Sequence, residues 1–183
     1  MTGRYPSAHG VKWNSCPLHE WEVPLTEVLK KMGYTIALVG KDHVHQDRYE
    51  KTLDEMRARR IRNMRPDNPF VQYVKEQGYD YVTGFALPNF VERLGAVPSD
   101  QPESCHLDAY VGEQAVDYLT HRNDNRPFFL WTGFYGPHHP YVPAGDFATM
   151  YDPDSFPPFD WREEDIARKP PEYRIYREWQ GHK

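Results

Sequence analysis

Two short stretches of this 183-residue chain carry the side chains best suited to chemistry. The first holds Lys41, Asp42, His43 and His45; the second holds Pro137, His138, His139 and Pro140. A lysine supplies a compact positive charge, and a histidine gives or takes a proton near neutrality. Together they suit a tetrahedral oxyanion whose leaving group needs protonation. His139 precedes Pro140, which biases it to extended backbone and turns neighbouring side chains to opposite sides, so one of the two histidines is expected to face the site. Each histidine taken singly reads as an ordinary surface or hydrogen-bonded residue; it is the matched placement of the two stretches that carries the oxyanion reading. A zinc site from His43, His45 and His138 ranks below it, because no HExxH or Cys/His ligand spacing is present.

The placement comes from the elements just before each stretch. Residues 34–40, YTIALVG, and 128–134, FFLWTGF, are nearly continuous apolar runs of strand length, the pattern of strands buried on both faces. Leu25, Val28, Leu29 and Met32 recur at helical spacing, and Gly33 is the expected stop. Helix, glycine and buried strand make one αβ unit. A weaker unit follows, with Phe70, Val71 and Val74 marking a helix over 68–77, Gly78 ending it and a short strand expected at 79–85. Val111, Ala115, Val116 and Leu119 mark a helix over 107–122. Residues 1–24, rich in Gly and Pro, and 86–105 read as irregular. The chain from 135 onward reads as a Pro-rich loop with a short helix near 146–151, and its last thirty residues show no periodicity. Alternating helices and buried strands predict an α/β fold with a mainly parallel sheet flanked by helices. Ligands of such sheets lie beyond the carboxyl ends of the strands, where both stretches fall.

Composition narrows the function. The net charge of −5, from 22 Lys+Arg against 27 Asp+Glu, argues against a general nucleic-acid or anionic-membrane binder. The run ARRIRNMR at 58–65, with Arg59, Arg60, Arg62 and Arg65, therefore reads as a solvated helix face rather than an anion patch. No stretch approaches the roughly 20 apolar residues of a membrane span, the first residues lack the apolar core of a signal peptide, and two cysteines predict no disulfide framework. Leu, Ile, Val and Phe make only about a fifth of the chain, near the level at which cores become lean. Aromatic residues, at 15%, offset this because each buries a large area.

At this point the motifs resemble a family. GYTIALVGKDH at 33–43 is similar to the second sulfatase signature, GYxTAxxGKWH. The opening MTGRYPSAHGV resembles the stretch that follows the sulfatase nucleophile motif C-x-P-S-R-x-x-L-M-T-G. PFFLWTGFYGPHHPYVPAGDFATMYDP at 127–153 resembles the third landmark, PFFLYVSFxxPHxPYxxP…YDP. All three occur in the family's order over about 1–160, with 161–183 an unassigned tail. The chain thus resembles the arylsulfatase-like, sulfatase branch of the alkaline-phosphatase superfamily, and 1–183 reads as a partial sulfatase catalytic domain, an internal piece of its N-terminal part.

The resemblance implies roles. Lys41 matches a lysine that binds a sulfate oxygen, His43 a histidine that hydrogen-bonds the formylglycine nucleophile and helps reset it, and His138 a histidine that contacts the ester near its leaving group; His139 falls on a variable position. In the family a formylglycine made from Cys or Ser attacks sulfur while Ca2+, held by Asp and Asn residues, polarises the sulfate. The substrate implied is a small-molecule sulfate ester or a sulfated glycan. Departures accompany the match: Ile36 stands for Ser or Thr, and Asp42 for an aromatic residue. The nucleophile is expected upstream of Met1, Cys16 lacks the x-P-S-R context, and no aspartate pair matches the calcium ligands, so formylglycine and Ca2+ are expected outside this chain and no metal ligand is assigned. A sheet whose other strands lie elsewhere exposes apolar surface, which predicts self-association. Two other readings remain at this stage: a non-catalytic anion-binding or interaction module, and a phosphodiesterase or phosphonate hydrolase of the same superfamily.

Overall fold

In chain order the helices and strands are α1 (Pro6–His9), α2 (Leu25–Lys31), β1 (Thr35–Gly40), α3 (Asp47–Glu50), β2 (Glu55–Arg57), α4 (Pro69–Glu76), α5 (Leu107–His121), β3 (Phe128–Gly133), α6 (Glu163–Ala167) and α7 (Pro171–Gly181). They come from a computed structural model that describes every residue except Ser15, 59–64, Phe159, Trp161, His182 and Lys183. Arg59, Arg60 and Arg62 of the basic run therefore lie outside the described residues, while Arg65 is exposed.

The sheet is three-stranded and all parallel, in the order β2-β1-β3. The run at 34–40 became its centre: all six residues of β1 are buried, and burial of side chains such as Ile36, Leu38 and Val39 contributes about 1.5–3 kcal/mol each. β1 pairs with β3 over six positions, from Thr35 opposite Phe128 to Gly40 opposite Gly133. Val39 enters the main core with Phe70 and Val74 of α4 and Tyr110, Val111 and Ala115 of α5. This is the α/β fold with parallel strands flanked by helices, consistent with a partial sulfatase fold.

Several expectations need correction. The run at 128–134 is a strand but not a buried one: β3 lies at the sheet edge, and Phe128 and Trp131 are each 39% exposed. α2 exists, but its apolar stripe of Leu25, Val28 and Met32 faces outward. Its inward side is polar, with the buried Thr26 accepting a hydrogen bond from Thr52 at 2.8 Å and Lys30 donating to Asp54 at 2.9 Å. Residues 79–85 form no strand; they end in a 3-10 turn, Gly84–Ala86, and Val82 and Phe85 stay exposed. β2 sits within a polar stretch that gave no strand signal. It pairs with the second edge of β1, assisted by Asp54, whose backbone amide and carboxylate bond the Ile36 carbonyl and amide at 2.8 and 2.9 Å. The short helix expected near 146–151 is a 3-10 turn, Gly145–Ala148.

Caps fix the two helices nearest the site. Asn68 accepts from the Phe70 amide at 2.9 Å to start α4, as N-caps do. His106 does the same for the Asp108 amide at 3.2 Å to start α5. Among the described residues of 1–24 no element is longer than α1, yet they are anchored to the segment after β1: the Leu18 amide donates to the His45 carbonyl at 3.0 Å, and Gln46 Nε2 to the Glu22 carbonyl at 3.0 Å.

The chain divides into two units, 1–148 and 149–183. In the second, Asp152 caps the turn Pro153–Ser155; α6 and α7 follow where no periodicity was read. Cys16 and Cys105 are both free thiols. Among the described residues no helix is long and apolar enough to cross a membrane.

Candidate active site

The last rung of the parallel ladder sets the geometry. Gly40 has a φ of +86°, a value L side chains rarely adopt. A β-carbon there would strike the Gly133 carbonyl and Val111, and one at Gly133 would strike the Lys41 carbonyl. Two glycines thus let β1 and β3 end in close contact. The Lys41 amide continues the pairing by donating to the Gly133 carbonyl at 2.8 Å.

Just past that rung, Tyr135 joins three groups. The Lys41 ammonium lies 5.3 Å from the centroid of its ring, within the range of a cation–π contact. Its carbonyl accepts from the His138 amide at 3.0 Å, closing a turn. Its own amide donates to Asp108 Oδ1 at 2.6 Å, and the Gly136 amide donates to Asp108 Oδ2 at 2.8 Å. One carboxylate in the first turn of α5 therefore grips two successive amides of the loop that carries His138. The loop also contains two cis peptide bonds, Gly136–Pro137 and His139–Pro140.

Lys41 and the loop bearing His138 are thus brought together at the carboxyl ends of adjacent strands, both through Tyr135. His138 is exposed, and its Nδ1 lies 2.6 Å from the His139 carbonyl. A carbonyl only accepts, so Nδ1 carries the hydrogen and Nε2 is the atom that takes or gives a proton. His43 lies two residues beyond Lys41 and is half-buried. Asp42 turns to the buried Tyr49, accepting from its hydroxyl at 3.0 Å. His45 is exposed. Among the described residues no three or more His, Cys, Asp or Glu side chains gather as a metal site would require, so His43, His45 and His138 form no zinc cluster.

The two histidines of the PHHP loop do not divide as extended backbone would divide them. Both line one cavity of about 560 Å³, because residues 135–138 turn rather than run straight. The His139 ring packs among Phe85, Phe90 and Tyr141, with centroid separations of 6.1, 5.5 and 5.7 Å, over the space that the absent side chain of Gly95 leaves. Tyr81, Phe85, Tyr135 and Tyr141 form further walls, whereas Lys41 and His43 do not line the cavity.

Sequence reasoning missed Asp108 and Tyr135. An acid in the first turn of a helix is ordinary, and nothing local in Asp108 points to a loop 27 residues on. Tyr135 lay inside a quoted motif but was read as a spacer.

A family model described as Sulfatase matches residues 1–161. The chain belongs to the sulfatase family. Among the similar proteins, the multifunctional alkaline phosphatase superfamily protein PehA of Trinickia caryophylli is 28% identical over 174 residues, covering 86% of this chain and 34% of that protein. An ulvan-active sulfatase of Formosa agariphila is 26% identical over 161 residues, covering 85% and 28%. An arylsulfatase of Clostridium perfringens is 24% identical over 172 residues, covering 85% and 34%. This sulfatase-family chain therefore spans about a third of the length of the curated relatives it matches. Within it, the sulfatase-like signature at 33–43 covers the stop of α2, all of β1 and the turn that launches Lys41. The landmark at 127–153 begins with β3 and runs on through Tyr135 and the PHHP loop.

Proposed function

We propose that this chain supplies the Lys41, His43 and His138 part of a sulfate ester hydrolase site, a sulfuric ester hydrolase by class. The observation that supports it is the meeting of Lys41 and the His138 loop on Tyr135 at the carboxyl ends of β1 and β3. On this reading Lys41 neutralises a non-bridging sulfate oxygen, with its ammonium held against the Tyr135 ring. His138, its Nδ1 hydrogen committed to the His139 carbonyl, acts as the imidazolium, whose Nε2 hydrogen passes to the departing oxygen and leaves the neutral ring. His43 serves the nucleophile, as the family resemblance implies.

A formylglycine would supply the attacking oxygen and Ca2+ the polarising charge. The residues here do not fit either group: no C-x-P-S-R motif occurs in the sequence, and no carboxylate cluster gathers among the described residues. Both are assigned to residues outside this chain. The substrate is a small-molecule sulfate ester or a sulfated glycan. A phosphodiester or phosphonate remains the second reading, favoured by the similarity to a protein named multifunctional alkaline phosphatase superfamily protein; tetrahedral anions offer Lys41 and His138 much the same oxygens.

The test is calorimetric titration of the chain with sodium sulfate and sodium phosphate, alongside turnover of 4-nitrophenyl sulfate with and without Ca2+. Sulfate binding that Lys41→Ala abolishes and His138→Ala weakens, without turnover by the chain alone, is expected. Tighter phosphate than sulfate binding would transfer the proposal to phosphoryl esters. Absence of Lys41-dependent anion binding would overturn it and leave a non-catalytic interaction module.

A further inference from the structure

His139 falls on a variable position of the family motif, yet its ring sits in a built socket. It meets Phe85, Phe90 and Tyr141 at interplanar angles of 62°, 67° and 90°, the edge-to-face arrangement that aromatic groups prefer. Phe85 and Phe90 also pack on each other, their centroids 5.1 Å apart. A β-carbon at Gly95 would collide with the imidazole, so this glycine forms the floor of the socket.

Backbone hydrogen bonds hold the socket together. The Gly95 amide donates to the Phe90 carbonyl at 2.7 Å, the Tyr141 amide to the Gly95 carbonyl at 2.8 Å and the Val97 amide to the Tyr141 carbonyl at 3.0 Å. Floor and two walls thus form one frame, and the φ of +76° at Gly95 suits a residue without a side chain. His139 itself is exposed, so the frame fills no core; what it fixes is the course of the backbone at 139.

That course places the His139 carbonyl oxygen 2.6 Å from His138 Nδ1. An imidazolium that gives up its Nε2 proton ends as the Nδ1–H ring that the carbonyl already holds, whereas loss of the Nδ1 proton would break the bond. At the other end of the loop, Asp108 grips the Tyr135 and Gly136 amides, so His138 lies between two anchors. We propose that His139 is a positioning residue for His138: its ring, seated among Phe85, Phe90 and Tyr141 over Gly95, holds its own carbonyl against His138 Nδ1 and so makes Nε2 the atom that exchanges the proton. The proposal rests on the reading of His138 as the proton donor.

The experiment reads the tautomer directly. In the isotope-labelled full chain, two-bond proton–nitrogen correlations of the imidazole rings at about pH 9, where an ordinary histidine is neutral, separate Nδ1–H from Nε2–H, and His138→Gln assigns the signals by their loss. His138 is expected as Nδ1–H in the unaltered chain. His139→Ala should move the ratio roughly fivefold or more toward Nε2–H, the form an unconstrained histidine favours, a shift the size of one net hydrogen bond. His139→Phe, which refills the socket and keeps the carbonyl, should restore the ratio. Phe85→Ala, at a residue 62% exposed and outside the core cluster, opens the socket and should shift the ratio the same way should His139→Ala fail to fold. An Nε2–H ring in the unaltered chain, an unchanged ratio in the folded socket variants, or a His139→Phe chain that behaves as His139→Ala would each overturn the proposal. A tautomer that follows His139 while sulfate binding ignores His138→Ala upholds the positioning and removes the proton-donor role from His138 instead.

Discussion

The Asp108 carboxylate and the Tyr135 amide are 2.6 Å apart, and the second oxygen of the same carboxylate holds the next amide, that of Gly136. Hydrogen bonds to a charged acceptor contribute more than neutral ones, so the loop that presents His138 is clamped from α5. Asp108→Ala should cost about 2 kcal/mol of stability and weaken sulfate binding roughly tenfold, since Tyr135 also supports Lys41. Asp108→Asn, which keeps one acceptor, should recover part of both. A chain whose melting temperature falls while its sulfate affinity stays intact would reduce Asp108 to a purely structural role.

Gly133→Ala is expected to be worse than its size suggests. The added methyl group meets the Lys41 carbonyl, and backbone cannot yield as a flexible side chain can. A loss of more than about 2 kcal/mol is expected from this strain, measured by thermal or urea unfolding. Gly78→Ala provides the comparison: its β-carbon would meet nothing, though its φ of +85° still strains it. Equal losses at the two positions would show that conformational strain, and not the tight strand ending, is responsible.

Acid should unfold the protein over a defined window. Hydrogen bonds from Arg48 and then Lys31 hold the Glu27 carboxyl at about 2, down from an ordinary 4.5. Arg126 first and the Thr35 hydroxyl second hold Asp124 well below the usual carboxylate range. Burial pushes Asp54 up, but the Ile36 amide and Lys30 outweigh it and leave it lowered. A carboxylate with a depressed folded value stabilises the fold fully above its unfolded value and loses that contribution as protons are forced on. The melting temperature should therefore be flat from pH 7 to about 5 and fall between roughly pH 4.5 and 2. Glu27→Gln should lower it at pH 7 and flatten the acid slope; an unchanged slope would remove Glu27 from this account.

β3 is an edge strand, and its Phe128 and Trp131 are each 39% exposed. Unpaired strand edges with apolar side chains favour association, so sedimentation velocity should show concentration-dependent assembly at micromolar levels. Trp131→Lys should shift it toward monomer. A chain that stays monomeric at high concentration would show that the edge is tolerated as it stands.

How far the sequence could be read depended on whether a residue's neighbours are local. β1 was legible because its six consecutive residues are all buried, as the continuous apolar run predicts. β3 shared the apolar pattern, but an edge place in the sheet depends on which strands pair, and the pattern does not record that. β2, Glu-Met-Arg, is a strand only because β1 offers it an edge. The stripe on α2 was read correctly as helical; Leu25, Val28 and Met32 in it face solvent, because the inner contact uses Thr26 and Lys30 instead of apolar area. The position of Lys41 and His138 past the carboxyl ends of β1 and β3 was legible because each follows an apolar strand run. The Asp108 clamp was not, because its partners lie a whole helix and strand away.

The pairing of Gly40 with Gly133 also has a consequence in time. Its two sides lie about ninety residues apart, and such long-range contacts are late to form because a large loop must close first. During synthesis the α2–β1 unit leaves the ribosome with its Lys41 end unmatched, and neither the Gly133 carbonyl nor the Tyr135 ring is there to meet it until the 128–138 segment arrives. Substitutions that slow that arrival would be felt as poor yield of folded protein, even where the finished fold is unchanged.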